Sequence, residues 1–271
     1  MRTDCLADRT ATTSGPRKPL YLTGGGELWV ALDGPALRVK HSARAAQWYP
    51  LVRLTRVVSA RTVRWDSQAL LACAAVGIPV VFVDRRGQVQ GLLVGSVPPE
   101  QDLFWRLCER ANHPVGQQCY SAWRKTMEQH ALSVLQQTQL ALVGLNATQA
   151  RRQLAEEKHR YASCTQCAAI ERHLAGLVTA LSAELLGDIG LNATRLALLN
   201  NGLHCLDDLA ELLGWALEFP VLNALQAHAE GKATFALEDK RQWVGLFEAQ
   251  VSDLRRLGQQ LLTCLDQALM D

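Results

Sequence analysis

The sequence lacks the features that mark membrane proteins and disulfide-rich secreted proteins. No stretch approaches the roughly 18 consecutive apolar residues that a membrane-spanning helix needs, and Met1–Gly15 contains no apolar run resembling a signal peptide. The eight cysteines are scattered through 271 residues instead of forming a compact framework. We therefore expect a cytoplasmic protein whose cysteines are free thiols.

A strong net charge is also absent, since the formal value at pH 7 is +2. The distribution is uneven, because residues 1–97 contain 13 Lys and Arg against 6 Asp and Glu, whereas residues 98–271 contain 15 against 20. A basic segment joined to an acidic one indicates an anionic partner for the basic segment. With 48% hydrophobic and 20% charged residues, the chain can bury an ordinary core, which excludes global disorder.

The first third of the chain has the pattern of a small β-rich domain with one helix. Short apolar runs alternate with Gly and Pro, which is typical of antiparallel strands. Ile78–Asp84 is almost continuously apolar, as expected for a strand covered on both faces. Between these runs, Asp66-Ser67 predicts a helix N-cap, Ala69–Val76 the helix, and Gly77 its end.

Beyond residue 98 the pattern changes to that of packed helices. Apolar residues recur at spacings of three and four in four segments: Trp123–Leu145, Ile170–Leu186, Leu196–Leu217 and Trp243–Leu269. We therefore predict an α+β fold with a flexible N-terminus at 1–19, a β-rich domain at 20–97 and an all-α domain at 98–271.

Several motifs of the β-rich region follow one another in a defined order. They are Leu20-Tyr21-Leu22-Thr23 before a glycine turn, Pro50-Leu51-Val52-Arg53-Leu54 leading to Val57-Val58, the helix start Ser67–Leu71, and Gly77-Ile78-Pro79-Val80-Val81-Phe82-Val83-Asp84 followed by Gly87 and Gly91-Leu92-Leu93. This order and spacing resemble the CRISPR adaptation integrase family, the Cas one proteins, which insert new spacers into CRISPR arrays. The resemblance implies a β-domain that forms homodimers and contacts DNA, and a smaller Cas two-type subunit as partner.

The same resemblance implies a divalent-metal site for Mg²⁺ or Mn²⁺ in the helical domain, built from a glutamate, a histidine and an aspartate. Such a cation would neutralise phosphate oxygens and align a 3′-hydroxyl for strand transfer. The segment Leu142–Arg151 is similar to the family's glutamate motif and has Asn146 at the glutamate position. The aspartate motif is matched by Asp208-Leu209-Ala210-Glu211. The family histidine falls near Arg195, where there is none, and His204 is the nearest histidine.

These residues leave two functions open. One is a metal-dependent DNA integrase and endonuclease with a rearranged catalytic site of Asp208, His204 and Glu211, in which Asp208 and His204 share a helical face and hold the metal. The other is a catalytically inactive subunit that binds DNA. Asn146 favours the second, because a neutral amide is a poorer Mg²⁺ ligand than a carboxylate. If Asn146 occupies the family's glutamate position, its side chain should face Asp208 across a helix–helix contact.

The β-rich region also contains a group of arginines near Trp48, Tyr49 and Trp65. The predicted DNA-binding residues are Arg53, Arg56, Arg61, Arg64, Arg85 and Arg86. Guanidinium groups pair with phosphate oxygens and give salt-dependent binding that tolerates any base sequence. The alternative is a solvated strand surface whose cations discourage edge-to-edge pairing.

One further spacing concerns zinc. His159, Cys164, Cys167 and His173 offer the thiolate and imidazole groups that tetrahedral zinc prefers. Cys164 and Cys167 lie in Tyr161–Leu177, which is predicted to be helical, and no second C-x2-C motif occurs. Two small residues buried on one helical face explain the cysteines as well, so zinc is not expected here.

Overall fold

The computed structural model describes residues 17–23, 27–42, 44–95, 103–111, 113–138, 140–191, 203–232 and 236–270. Within these ranges, strands and a single helix come first and the other helices follow. The predicted α+β fold class is confirmed. The flexible N-terminus predicted at 1–19 falls largely outside the described residues, as does the region around Arg195.

The strands are short and the helices of the second part are long. The strands are β1 (Lys18–Leu22), β2 (Leu28–Asp33), β3 (Ala36–His41), β4 (Arg44–Pro50), β5 (Leu54–Ala60), β6 (Arg64–Trp65), β7 (Val80–Val83) and β8 (Val89–Leu93). The helices are α1 (Ser67–Ala75), α2 (Leu103–Ala111), α3 (Pro114–Thr138), α4 (Ala147–His159), α5 (Cys164–Asp188), α6 (Cys205–Gly214), α7 (Glu218–Ala229) and α8 (Lys240–Met270). Across the described ranges, no helix combines the length and apolar character that crossing a membrane requires.

The strands form two four-stranded sheets. The first has the order β1-β5-β7-β8 and the second β4-β3-β2-β6. The predicted antiparallel pairing is right for β2–β3–β4 and for β7–β8, but wrong for β1, β5 and β7, which pair in parallel. The reason is that both connections are long crossovers: β2, β3 and β4 lie between β1 and β5, and β6 and α1 lie between β5 and β7.

Helix α1 has the ends that the sequence predicts. The Asp66 side chain accepts a hydrogen bond from the backbone N–H of Gln68 at 3.3 Å, which satisfies a free donor of the first turn. Gly77 follows the helix with φ of 75°, a left-handed conformation that glycine adopts without steric cost. Ala69 and Cys73 are the residues that α1 buries.

The main hydrophobic core joins the helical part to the first sheet. It is built on α5 and α8, with Leu181 and Phe247 completely buried, and it includes Val81 of β7. The other face of the first sheet packs against the second sheet and α1, where Val57 and Val80 are buried. Both faces of the first sheet are therefore covered, which explains the continuous apolar run that precedes Asp84.

A buried ion-pair network crosses the boundary between the sheet and the helices. Arg56 of β5 has no exposed surface, and its guanidinium lies 3.0 Å from Glu184 of α5 and 2.9 Å from Glu248 of α8. Burial alone would lower the pKa of Arg56, but Tyr21 and Glu184 raise it above its ordinary value. The predicted role of Arg56 in DNA binding is therefore wrong, because its side chain holds the two parts of the molecule together out of reach of any ligand.

Candidate functional site

Helix α3 contributes one face to the candidate site. Tyr120, Arg124 and Glu128 follow one another at intervals of four residues, so that their side chains lie in a row along the helix. Tyr120 is buried and the other two side chains are partly exposed. The row faces α6, which carries Asp208 and Glu211.

Both carboxylate oxygens of Asp208 are engaged. The Tyr120 hydroxyl donates a hydrogen bond to Oδ2 at 2.7 Å, and Arg124 Nε lies 2.8 Å from Oδ1. Asp208 is 7% exposed, so these partners stand in for the water that would otherwise solvate its charge. Burial, followed by Cys205 and Asp208, raises the pKa of Tyr120, which remains a protonated donor.

Both carboxylate oxygens of Glu211 are engaged as well. Arg124 pairs with one oxygen and Arg151 of α4 with the other. Arg151 also pairs with Glu128 at 2.7 Å, and its guanidinium lies 4.8 Å from the centre of the Trp215 ring. Burial alone would raise the pKa of Glu211, but hydrogen bonds from Arg151 and Arg124 outweigh it and lower the pKa. We call these six residues the arginine–carboxylate network: Tyr120, Arg124, Glu128, Arg151, Asp208 and Glu211.

Asn146 is the N-cap of α4. Its side-chain oxygen accepts the backbone N–H of Gln149 at 2.9 Å, and the Gln149 side chain accepts the backbone N–H of Asn146 at 3.0 Å. This reciprocal capping box stabilises the first turn of the helix. The Asn146 side chain therefore bonds to its own helix, whereas the contact between α4 and α6 is made by Arg151 and Glu211.

His204 is not part of the helix that carries Asp208. Helix α6 begins at Cys205, and His204 is an exposed N-cap residue with φ of −101° and ψ of 54°. The prediction that His204 and Asp208 share one helical face is therefore wrong, since only helical residues follow the four-residue spacing.

The described residues do not fit a Mg²⁺ or Mn²⁺ site. Such ions take several oxygen ligands, usually with at least one free carboxylate. Here the oxygens of Asp208 and Glu211 already contact arginine or tyrosine, and Asn146 caps a helix. Within the described ranges, no group of three or more His, Cys, Asp or Glu is placed to hold a metal. Two guanidinium groups balance the carboxylate charge that a divalent cation would balance in a metal-dependent enzyme.

The four residues with zinc-like spacing are not brought together. Cys164 is the exposed first residue of α5, and Cys167 is buried one turn later. His173 lies nine residues beyond Cys164 on the same helix, which corresponds to about 13 Å along the axis, and packs against Gly87. Burial, reinforced by Lys240, lowers the pKa of His173 to about 4, so it is neutral at physiological pH. His159 is exposed at the end of α4.

The remaining predicted DNA-binding arginines are exposed, and the strands divide them between two ends of the sheet. Arg61 follows β5 and donates its backbone N–H to Val83 at 2.8 Å, next to the turn that contains Arg85 and Arg86. Arg61, Arg64, Arg85 and Arg86 thus follow or adjoin the carboxyl ends of β5 and β7, and we call this group the basic edge. Arg53 precedes β5 and lies at the opposite end, about 26 Å from Arg61 at about 3.3 Å per residue along the strand.

Reasoning from the sequence found the two acids of the network but missed their partners. Tyr120, Arg124 and Glu128 carry a visible signal, the four-residue spacing of polar groups on one helical face. Nothing local indicates that Arg151, five residues after Asn146, reaches Glu211 on another helix.

Comparison with known proteins places the chain in a family. The family model described as CRISPR associated protein Cas1 matches residues 20–175, more than half of the chain. This chain belongs to the CRISPR associated protein Cas1 family, as the resemblance of its β-rich motifs implied. No curated protein sequence matches it.

Solved structures share the fold at low identity. A CAS1 protein from Thermotoga maritima superposes with a TM-score of 0.72 at 13% identity, covering 93% of this chain and 97% of that one. A TtCas1–DNA complex superposes with a TM-score of 0.62 at 16% identity, covering 92% of this chain and 91% of that one. A Cas6-RT-Cas1–Cas2 complex superposes with a TM-score of 0.63 at 14% identity, covering 94% of this chain and 35% of that one. The fold of the residues that the structure describes is that of Cas1 proteins.

Proposed function

We propose that this chain binds DNA as a catalytically inactive subunit of a cytoplasmic CRISPR adaptation complex, the machinery that joins spacer DNA to a CRISPR array. The observation that carries the proposal is the arginine–carboxylate network. Asp208 and Glu211 each use both oxygens on protein donors, so a divalent cation would have to displace Arg124 from two carboxylates at once. Displacing a partner from a buried or half-buried charge is costly.

The proposed partners are DNA, a second copy of the chain and a Cas2-type subunit. Likeness to the TtCas1–DNA complex and to the Cas6-RT-Cas1–Cas2 complex supports DNA and Cas2 as partners. The basic edge supplies cations for phosphate groups. A homodimer through the β-rich part is part of the same proposal, because edge strands such as β4 and β8 would otherwise offer unpaired backbone groups to any other sheet.

A second candidate is metal-dependent strand transfer by this chain itself. The observation in its favour is that Asp208 and Glu211 are retained in the family's aspartate string and lie one turn apart on α6. For this function Arg124 and Arg151 would have to leave the carboxylates when DNA binds.

Strand transfer into a supercoiled CRISPR-array plasmid separates the two candidates. With Mg²⁺ or Mn²⁺, and with or without the Cas2-type subunit, we expect no joined product from the wild-type chain. DNA binding measured in parallel should be unaffected by a chelator, because phosphate contacts come from arginines and not from a metal.

The control is the variant Asp208→Asn, chosen because it keeps the shape of the side chain. A joined product that is formed by the wild type and lost in this variant, at equal thermal stability, would establish the enzyme and overturn the proposal. Absence of DNA binding by the wild type would overturn both candidates.

A further inference from the structure

The second sheet has one face in the core and one face in solvent. Val30, Leu37 and Val39 point inward and are buried. On the opposite face, Trp29 and Trp48 are 59% and 55% exposed, unusually open positions for the largest apolar side chain. Within the described ranges, neither ring stacks on another aromatic ring.

Strand register places cations directly beside these tryptophans. Residues paired across a sheet lie on the same face, and Trp29 pairs with Lys40 and with Arg64, while Trp48 pairs with Arg38. The solvent face therefore carries two neighbouring rows in which an indole alternates with a cation. From the spacing of strands and residues, the Cα atoms of the two tryptophans lie about 12 Å apart.

A hydrogen bond within the sheet fixes one of the two tryptophan rings on this face. The Trp48 indole N–H donates to Asp33 at 2.8 Å, which fixes the ring at the edge strand. Arg38 and Lys40 form no ion pair with any described residue, so their charges are available. We call Trp29, Arg38, Lys40 and Trp48 the tryptophan face.

We propose that the tryptophan face binds single-stranded DNA, an inference that rests on the proposed DNA-binding function and assigns it a second surface, which adjoins the basic edge at Arg64. Bases stack on indole rings with little regard to sequence, while the phosphates between them pair with Arg38 and Lys40. A duplex fits less well, because the faces of its bases are already covered by their neighbours.

Charge distinguishes DNA from the other occupants that an exposed sheet face could have. The face carries Arg38 and Lys40 against one acid on its own strands, Asp33, while the adjoining Arg64 is paired with Glu27 at 3.5 Å. A second copy joined by two-fold symmetry would bring this positive patch against itself. An apolar protein partner would bury the unpaired cations, which is costly without carboxylates to receive them.

The test compares binding of a labelled oligo(dT) strand and a blunt duplex of equal length by fluorescence anisotropy. Trp29→Ala combined with Trp48→Ala should weaken binding of the single strand about tenfold for each tryptophan and leave duplex binding unchanged. Trp29→Phe with Trp48→Phe should restore most of the affinity, since a smaller ring still stacks. Arg38→Gln with Lys40→Gln should make the slope of log K against log[salt] shallower by about 1.4, because each phosphate contact to a single strand contributes about 0.7.

Leu71→Ala is the matched control, because Leu71 is 68% exposed on α1, away from this face, and its loss should change neither affinity. If the wild type binds DNA but the alanine pair binds the single strand normally, the inference fails and the proposed function stands. A change from dimer to monomer in light scattering, without a change in affinity, would assign the face to a second copy and overturn the inference. Tighter binding of oligo(U) RNA than of oligo(dT) would also overturn the inference. Failure of the wild type to bind either DNA would overturn the proposed function itself.

Discussion

Replacing Arg56 with methionine should lower the free energy of unfolding by about 3 kcal/mol or more, because it removes a cation from the buried Glu184 carboxylate and from the partly buried Glu248 carboxylate. Glu184 is 5% exposed and would keep Arg255 as its remaining partner. Glu248 would keep its hydrogen bond from the Tyr21 hydroxyl. Methionine fills most of the volume of the arginine stem, so the loss reports on charge and not on a cavity. Urea unfolding followed by circular dichroism at pH 7 measures the change.

Arg53→Met is the matched control for this prediction. Arg53 is the same residue type, lies three positions before Arg56 and is exposed, so its replacement should change stability by less than about 0.5 kcal/mol. Adding Glu184→Leu to Arg56→Met should recover part of the lost stability, because it removes the buried carboxylate that Arg56 leaves behind. Equal stability of Arg56→Met and the wild type would show that the network does not hold the sheet and the helices together.

Replacing Arg61, Arg85 and Arg86 with alanine together should weaken duplex DNA binding by about a hundredfold near 0.15 M salt. The reason is that each substitution removes one arginine, and with it one phosphate contact, from the basic edge. The slope of log K against log[salt] should become shallower by about 2.7, because each of the three lost phosphate contacts contributes about 0.9. All three side chains are exposed, so the fold should tolerate the change. Fluorescence anisotropy across a salt series measures both quantities.

Arg53→Ala serves as the control here too, since Arg53 is exposed but lies at the other end of β5. It should leave both the affinity and the salt slope close to those of the wild type. If Arg53→Ala weakens binding as much as the triple variant does, DNA contact is spread over the whole β-rich part and the basic edge is not a distinct surface.

The order of strands and helices could be predicted from sequence because local patterns determine it. The capped helix between Asp66 and Gly77 and the apolar run of β7 are visible in the residues themselves. The parallel pairing of β1 with β5 could not be predicted, since it depends on how the intervening hairpins fold back. Arg56 carried a signal that was missed: a charged residue inside a strand buried on both faces needs a buried partner.

The candidate site shows a similar division between local and distant information. The string from Asp208 to Glu211 marked the acids, but the groups that neutralise them come from helices far away in the chain. Tyr120, for example, is 88 residues from Asp208. Whether a carboxylate binds a metal or an arginine is decided by such distant neighbours, which a single sequence does not place. Asn146, which the resemblance places at the family's glutamate position, favoured an inactive subunit, but it did not identify the arginines that pair with Asp208 and Glu211.

Calorimetric titration of the wild-type chain with Mn²⁺ tests most directly whether arginines have taken the place of the metal. We expect no heat of binding up to millimolar metal and no rise in the melting temperature, because an ion that does not bind the native state cannot stabilise it. Binding of one Mn²⁺ per chain, with a raised melting temperature that Asp208→Asn abolishes, would contradict the proposal of an inactive subunit.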